Sequence, residues 1–429
     1  MLLVLKAFRG AIVRAVARIG AMPRGRFLGA VIALTLVTRL ALLPVVHPVY
    51  EADIKEYVEK AVCIARDGNP RASEIRADGS RFYRTLGYSL PLAGWYVATG
   101  VPETPAGRVR SAQVFNLLAA AAIAAMIAAL GRAVGREKAG RAAAVVYATF
   151  LPSLMFCLLP YTETWTTLLV VSIAWCLAKL RQDGRLPAAD AALGAALGLA
   201  EGLLLITRFE FAWLPFVAAA FVLGARHARG LLPAAASLLL LLVPLCVNHE
   251  MRNGYPGHLR MSVQGGLILF FGNNPIEVNG YGNATPAVVA RKDELYRLDP
   301  TGGAARDEAI AWMKEHPFQA IGNAPKKLYH LWLAEPQGFS WHVGAGRDPG
   351  TNRVLAALLR HAAWVQALAL LGLGAVAIAR RAMPAPWLLV IALHAATWCL
   401  LASSTRNRYP LEPFLMIAAA AWLAEEDEP

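Results

Sequence analysis

Long apolar stretches, separated by short polar ones, dominate the pattern of residues along the chain. A helix needs about 20 mostly apolar residues to cross a bilayer, because its backbone polar groups must be satisfied within the segment. About ten stretches meet this requirement, at residues 27–46, 112–130, 142–160, 163–179, 187–206, 209–225, 230–248, 357–379, 386–402 and 410–424. The pattern therefore predicts an all-α polytopic membrane protein with about ten transmembrane helices.

Basic residues at the ends of these stretches predict their orientation. The 429-residue chain is 57% hydrophobic and 17% charged, so its net charge of +13 does not indicate a nucleic-acid partner. Lys and Arg crowd the segment 1–26 and the short loops around Arg181 and Arg380. Short loops of this kind stay in the cytoplasm. With an even number of spans, both termini are cytoplasmic, and the long segments 47–111 and 249–356 lie outside.

The spans and the long external segments divide the chain into four regions. Residues 1–26 form an amphipathic segment on the cytoplasmic face, and residues 27–248 form a transmembrane block that contains the first external loop, 47–111. The segment 249–356 is predicted to be a small α/β-like external cap between the seventh and eighth spans. Residues 357–429 hold the last transmembrane helices and a short acidic tail.

Ionisable residues concentrate at the external ends of the predicted spans. The clusters contain Glu51 and Asp53, then Arg84, then Glu163, then Arg208 with Glu210, and finally Arg406, Arg408 and Glu412. Charged groups at a membrane boundary are costly and tend to mark substrate pathways. Their concentration on one side predicts an external, membrane-level cavity that holds an anion and at least one carboxylate.

The first external loop begins with an amphipathic helix. Its apolar stripe consists of Ile54, Val58, Ala61, Val62 and Ala65. Such a helix lies in the membrane interface and directs Asp53 along the membrane surface. Glu56 and Glu59 are interpreted as residues that only solvate this helix.

Several stretches, taken in order, resemble the GT-C superfamily of integral-membrane glycosyltransferases. They are Glu51-Ala52-Asp53, YRTLGYSLPLAGWY, LPSLMFCLLPYTETW, GLLLITRFEF, SVQGGLILFFGNNPIEVNGYG and RNRYPLEPFL. The similarity is to the branch of protein O-mannosyltransferases and aminoarabinose transferases, and it covers the chain from about Arg39 to Leu423. Thr85 and Leu86 stand where that pattern has two prolines.

The resemblance implies a membrane enzyme that transfers a hexosyl or pentosyl group from a polyprenyl-phosphate carrier. The acceptor would be a glycan, lipid or protein at the external, periplasmic face of a bacterial inner membrane. Such a reaction needs a carboxylate to deprotonate the attacking hydroxyl, and it needs fixed positive charge for the departing phosphate. Arg suits the second task because its planar fork binds two phosphate oxygens.

These requirements assign a role to each candidate residue. Asp53 is the expected general base, and Glu51 either assists it or shares a divalent cation with it. The residues expected to bind carrier phosphate or substrate are Arg84, Arg208, Arg406, Arg408, Glu163, Tyr57 and Tyr88. For the arginines the alternative is structural ion pairing with Glu163, Glu210 or Glu412. For the tyrosines the alternative is anchoring in the membrane interface.

Two functions from other classes remain open at this stage. A sugar-lipid transporter, or flippase, would place polar residues through the depth of the membrane rather than at one face. A non-catalytic scaffold subunit would use the segment 249–356 to bind a partner. No nucleotide-binding GxxxxGK[ST] pattern and no HExxH zinc pattern occurs in the sequence.

Overall fold

The structure is a computed structural model of the chain. It describes residues 18–44, 46, 48, 50, 52–68, 85–182, 187–223, 230–253, 264–276, 285–299, 302–334 and 353–425. Two candidate site residues, Glu51 and Arg84, lie outside the described residues, as does most of the amphipathic segment 1–26.

The described ranges are helical and contain no β-strand. The helices are α1 (Arg24–Leu42), α2 (Ala52–Asp67), α3 (Ser89–Thr99), α4 (Pro105–Ala133), α5 (Glu137–Thr149), α6 (Leu151–Cys157), α7 (Thr162–Leu180), α8 (Pro187–Leu205), α9 (Leu214–Leu223), α10 (Leu231–Asn253), α11 (Gln264–Gly272), α12 (Pro286–Leu298), α13 (Gly303–Glu315), α14 (Pro317–Gly322), α15 (Ala324–Trp332), α16 (Arg353–Ala379), α17 (Ala385–Leu400) and α18 (Glu412–Glu425). Two 3₁₀ helices cover Phe209–Phe211 and Thr405–Leu411. The prediction of an all-α protein is confirmed for these residues.

Five of the described helices are long and apolar enough to cross a membrane. They are α1, α4, α7, α8 and the part of α16 from Ala357 to Ala379. The bent pair α5 and α6 makes a sixth if the pair is one span. Three shorter apolar stretches also coincide with predicted spans, namely Phe209–Leu223, Leu231–Val243 and Ala385–Leu400. The chain is therefore a multi-pass membrane protein, and the number of ten spans stays a prediction.

A buried arginine stabilises the 61° bend between α5 and α6. Pro152 has no N–H, so it cannot donate to the carbonyl of Ala148 four residues earlier. Arg39 donates instead to the carbonyls of Ala148 and Tyr147, at 3.2 and 3.4 Å, and to Ser153 Oγ at 3.0 Å. The bend thus keeps its backbone polar groups paired within an apolar block.

Small residues let α8 and α10 approach each other closely. A methyl group on Gly198 would lie 1.9 Å from the carbonyl oxygen of Ala234, and one on Gly194 would lie 2.2 Å from that of Gly230. Glycines spaced four apart are typical of tightly packed membrane helices, where van der Waals contact replaces the hydrophobic effect. This packing fixes the end of α8 that leads into Arg208.

The described part of the external segment 249–356 is helical, which corrects the α/β-like character expected there. An apolar run such as GGLILFFG can be a strand or a buried helix turn by periodicity alone. Here it forms α11, and Leu267 and Phe270 pack against Ala305 and Ala309 of α13. Helices between α11 and α15 therefore cover the site side of the transmembrane block.

Two side chains join this helical segment to the carbonyl end of α17. Asn273 Nδ2 donates to the carbonyl of Leu400 at 2.6 Å. The fully buried Lys327 of α15 donates from Nζ to Asn273 Oδ1 and to the carbonyl of Cys399, each at 3.0 Å. These hydrogen bonds hold α15 against α17.

Candidate active site

Four separate segments bring charged side chains together at one end of the transmembrane block. Asp53 and Glu163 lie in the first turns of α2 and α7, where the helix dipole favours negative charge. Arg208 follows α8, and Arg406 lies in the 3₁₀ helix Thr405–Leu411. Each of these positions is a helix start or a short break between helices, so the side chains can converge.

The charges form one continuous chain of ion pairs. Arg406 Nη1 donates to Asp53 Oδ2 at 3.2 Å, and Arg406 Nε lies 3.4 Å from Glu163 Oε1. Arg208 Nη2 donates to the same Glu163 oxygen at 2.6 Å, and Arg208 Nη1 donates to Glu210 Oε1 at 3.1 Å. Asp53, Arg406, Glu163, Arg208 and Glu210 are called the ion-pair chain below.

Burial differs sharply between the two carboxylates that contact Arg406. The Glu163 side chain is 1% exposed, and within the described residues its Oε2 atom has no hydrogen-bond partner. The Asp53 side chain is 20% exposed. Burial opposes the charged form of Arg406, but Glu163 and Asp53 outweigh it and raise its pKa above the ordinary value. Asp53 is thus the carboxylate that an incoming molecule can reach.

A cavity of about 660 Å³ adjoins the ion-pair chain. Arg208, Arg406 and Tyr57 line one side of it, and the opposite side consists of residues from α11, the start of α13 and the end of α17. Its size falls within the usual range for small-molecule sites, about 300–1,000 Å³. The cavity therefore offers two guanidinium groups beside an apolar space, with Asp53 one hydrogen bond away.

The two candidate tyrosines have different positions. Tyr57 lines the cavity, while Tyr88 is fully buried and donates from its hydroxyl to Asn116 Oδ1 at 3.1 Å. The rings of Tyr57 and Tyr88 meet edge to face, with 5.7 Å between their centroids. Tyr88 therefore supports Tyr57 from behind instead of facing the cavity.

Arg408 does not join the ion-pair chain. It is 2% exposed, its Nε donates to Glu412 Oε1 at 3.0 Å, and its Nη1 donates to the carbonyl of Trp332. It is absent from the cavity lining. This is the structural ion pair that the sequence left open for Arg408, and it ties α15 to α18.

Glu59 is another acidic residue whose surroundings differ from the sequence interpretation. Arg108 Nη1 donates to Glu59 Oε1 at 2.7 Å, and the hydroxyl of Tyr50 donates to the same oxygen. The Arg108 side chain is largely buried, so Glu59 is a structural partner and not merely a solvating group. Glu59 joins α2 to the start of α4.

Several cavity residues were not predicted as site residues from the sequence. They include Trp213, Arg306, Gly302-Gly303, and Gly265-Gly266, which entered only as part of the family resemblance. A methyl group on Gly266 would lie 2.1 Å from the carbonyl oxygen of Gly302, so these glycines allow close approach of two backbones at the cavity wall. The repeated Gly-Gly pair is the signal that could have found this wall.

The expected cation site stays a prediction. Its second ligand, Glu51, lies outside the described residues. Among the residues that the structure does describe, no group of three or more His, Cys, Asp or Glu side chains could hold a metal ion.

Solved structures at low sequence identity share this architecture. An Archaeoglobus fulgidus oligosaccharyltransferase tethered to an acceptor peptide with an NVT sequon superimposes with a TM-score of 0.51 at 14% identity, over 93% of this chain and 49% of that one. AglB from the same organism, in complex with an inhibitory peptide and a dolichol-phosphate, gives 0.50 at 14% identity, over 91% and 50%. ArnT from Cupriavidus metallidurans bound to undecaprenyl phosphate gives 0.47 at 14% identity, over 94% and 78%.

These comparisons establish a fold. No protein-family model matches the sequence, and no curated protein matches it. The chain spans about half the length of the archaeal oligosaccharyltransferases. The chain shares the fold of the two archaeal oligosaccharyltransferases, and the fold expected from the sequence resemblance is confirmed.

Proposed function

We propose that the protein transfers a glycosyl group from a polyprenyl-phosphate carrier to an acceptor at the external face of the membrane. One observation carries this proposal: the ion-pair chain places a partly exposed carboxylate, Asp53, on Arg406, which lines a cavity together with Arg208. Glycosyl transfer from a phosphate carrier needs both groups in one place. The shared fold supports the same class of reaction.

Asp53 is proposed as the general base. It would take the proton from the acceptor hydroxyl as that oxygen attacks the anomeric carbon, while the bond from that carbon to the carrier phosphate breaks. Its side chain is 20% exposed and lies in the first turn of α2, so an acceptor can approach it from solvent. The buried Glu163 is proposed to hold Arg208 and Arg406 in register, not to exchange protons.

Arg208 and Arg406 are proposed to bind the carrier phosphate, because both line the cavity. Arg84 remains a candidate for the same role, since the neighbouring Thr85 also lines the cavity. Arg408 is withdrawn because its donors are already bound to Glu412 and Trp332. Tyr57 is the proposed stacking surface for the sugar.

The acceptor is proposed to arrive from the periplasmic side of a bacterial inner membrane. This is supported by the basic loops, which predict that the opposite ends of the spans lie in the cytoplasm. The proposed donor carries a hexosyl or pentosyl group, and the proposed acceptor is a glycan, a lipid or a protein. A divalent cation shared by Glu51 and Asp53 would add positive charge next to the departing phosphate.

The test is transfer by the purified full-length protein from a panel of synthetic polyprenyl-phosphate hexoses and pentoses. An envelope extract from cells that lack the protein supplies the acceptor, and both released polyprenyl phosphate and incorporated sugar are measured. We expect wild type and Asp67→Asn to transfer sugar and Asp53→Asn to be severely impaired. Asp67 is a matched control because it is exposed at the last residue of the same helix.

Other outcomes separate the rival functions. Movement of a labelled sugar lipid across proteoliposomes without release of polyprenyl phosphate would show a flippase. Equal transfer in membranes by wild type and Asp53→Asn, with loss only when the whole chain is deleted, would indicate a scaffold subunit.

A further inference from the structure

A second cavity lies at the other end of the transmembrane block. It has a volume of about 380 Å³, and its lining comes mainly from α7, α9 and α17, with Ala133 at the end of α4 and Phe414 of α18. Val170, Ala174, Phe221 and Trp387 are among the residues of its apolar wall, and Arg181 stands at one end. A concave apolar space among several helices differs from the convex apolar surface that any membrane helix presents to lipid tails.

The length of α7 places this cavity on the opposite side of the membrane from the ion-pair chain. Glu163 lies in the first turn of this 19-residue helix, and Arg181 follows its last residue. A helix of that length spans about 28 Å, close to the thickness of the hydrocarbon core. The basic loops that include Arg136 and Arg380 meet at this end, where Arg136 donates to the carbonyl of Ala382. The cavity therefore opens at the cytoplasmic leaflet.

Arg181 places a positive charge at the end of the cavity. Its guanidinium carbon lies 4.4 Å from the centroid of the Phe221 ring, which directs it over the apolar wall. No carboxylate forms an ion pair with it in the part of the chain that the structure describes. A guanidinium beside an apolar space complements a phosphate attached to an acyl chain.

An adjoining cleft extends the apolar space sideways between α9 and α17. This cleft has a volume of about 500 Å³ and shares Val217, Phe221 and Pro386 with the cavity. Its outer rim includes Phe216, which is 77% exposed, and Leu389. A lipid chain could therefore enter from the bilayer without leaving an apolar environment.

We propose that this cavity binds an anionic glycerophospholipid of the cytoplasmic leaflet. One acyl chain would fill the space along α7, and the phosphate would accept hydrogen bonds from Arg181. This lipid site is separate from the ion-pair chain. The proposal therefore does not depend on whether the protein transfers sugar. The occupant of the site would contribute to the packing of α9 and α17 on α7.

The experiment measures stabilisation of the detergent-solubilised full-length protein by added lipid. Palmitoyl-oleoyl phosphatidylglycerol is titrated against melting temperature, with phosphatidylethanolamine of the same chains as the comparison, because a ligand of the folded state raises stability with its concentration. The variants are Arg181→Gln, Arg181→Lys and the cavity-filling Ala174→Leu. Arg380→Gln is the control, because Arg380 is an exposed arginine at the same end that does not line the cavity.

We expect phosphatidylglycerol to stabilise wild type and Arg380→Gln at lower lipid concentration than phosphatidylethanolamine does. Arg181→Gln should need about tenfold more lipid, or a larger excess, for the same stabilisation, which is the scale of one lost hydrogen bond to a charged group. Arg181→Lys should recover part of this loss. Ala174→Leu should weaken stabilisation by both lipids. If Ala174→Leu does not fold, the comparison of Arg181→Gln with Arg380→Gln still tests the proposal. Equal responses of that pair, or equal effects of the two lipids, would overturn the proposal.

Discussion

Replacing Asp53 by Asn removes a base while keeping the shape of the side chain. The Asn oxygen can still accept the hydrogen bond that Arg406 Nη1 now donates to Asp53 at 3.2 Å. Arg406 keeps its charge, so the bond stays charge-assisted and loses only the attraction of the carboxylate, on the order of 1 kcal/mol. Both side chains are partly exposed, at 20% and 23%, which further limits the loss. The variant should therefore fold normally.

The catalytic loss should be much larger than this structural one. A positioned general base typically contributes about 10²–10⁴-fold in rate, equivalent to about 3–5 kcal/mol of activation free energy. Donor binding should change little, because Arg208 and Arg406 remain at the cavity and Glu163 still fixes them. The expected signature is a lower rate at saturating donor with donor affinity within about threefold of wild type.

The assay is single-turnover release of polyprenyl phosphate from the donor that the wild type uses best. Wild type, Asp53→Asn and Asp67→Asn are compared at equal protein concentration, with melting temperature recorded for each. A slow Asp53→Asn protein with an unchanged melting temperature would support the base assignment. Normal turnover by Asp53→Asn would refute it, as would an equal loss in Asp67→Asn.

Three further predictions concern other residues of the chain. Arg208→Lys should weaken donor binding about tenfold, because a point charge cannot reproduce the planar fork of arginine, whereas Arg408→Lys should leave donor binding unchanged. Isothermal titration with the carrier measures both affinities. A loss confined to Arg408→Lys would contradict the cavity assignment. Burial lowers the pKa of Lys327 to about 8. Between about pH 8 and 10.5 the unfolded chain therefore retains a proton that the folded protein has lost, and the free energy of unfolding should rise with pH by about 3 kcal/mol. Thermal unfolding of wild type and Lys327→Met across that range tests this, and parallel curves would contradict it. If Glu51 and Asp53 share a divalent cation, EDTA should lower transfer at unchanged melting temperature and Mg²⁺ or Mn²⁺ should restore it; full activity after dialysis against EDTA would remove the cation from the proposal.

Apolar runs predicted which segments are helical because length and hydrophobicity decide that locally. The helices α1, α4, α7, α8 and α17 begin and end within a few residues of the predicted spans, apart from the longer start of α4. The α/β-like cap was wrong for the described residues, because a short apolar run contains no signal that separates strand from buried helix. Whether the run GGLILFFG becomes a strand or a helix is decided by its contact with α13.

The arginines show what local sequence cannot decide. Arg406 and Arg408 are two residues apart in one 3₁₀ helix, where three residues make a turn. Their side chains therefore leave the helix in different directions, and Arg406 meets Asp53 while Arg408 meets Glu412. Both arginines have the same residue type and polar surroundings in sequence. Which one faces the cavity depends on contacts between distant segments, since Arg406 and Asp53 are separated by 353 positions in the chain.

The relative strengths of the ion pairs suggest how donor binding would prepare Asp53 under the proposed function. The pair between Arg406 and Asp53 is partly exposed, and pairs of that kind contribute about 0–1 kcal/mol. A carrier phosphate would offer Arg406 charge-assisted hydrogen bonds of about 1.5–3 kcal/mol each, so phosphate should displace Asp53. Arg208 should stay on Glu163, because that pair is 2.6 Å long and the carboxylate is buried. Binding of the carrier would thus free the Asp53 carboxylate when the donor arrives. Of the two carboxylates that contact Arg406, the accessible Asp53 and not the buried Glu163 is the one that can act on an acceptor.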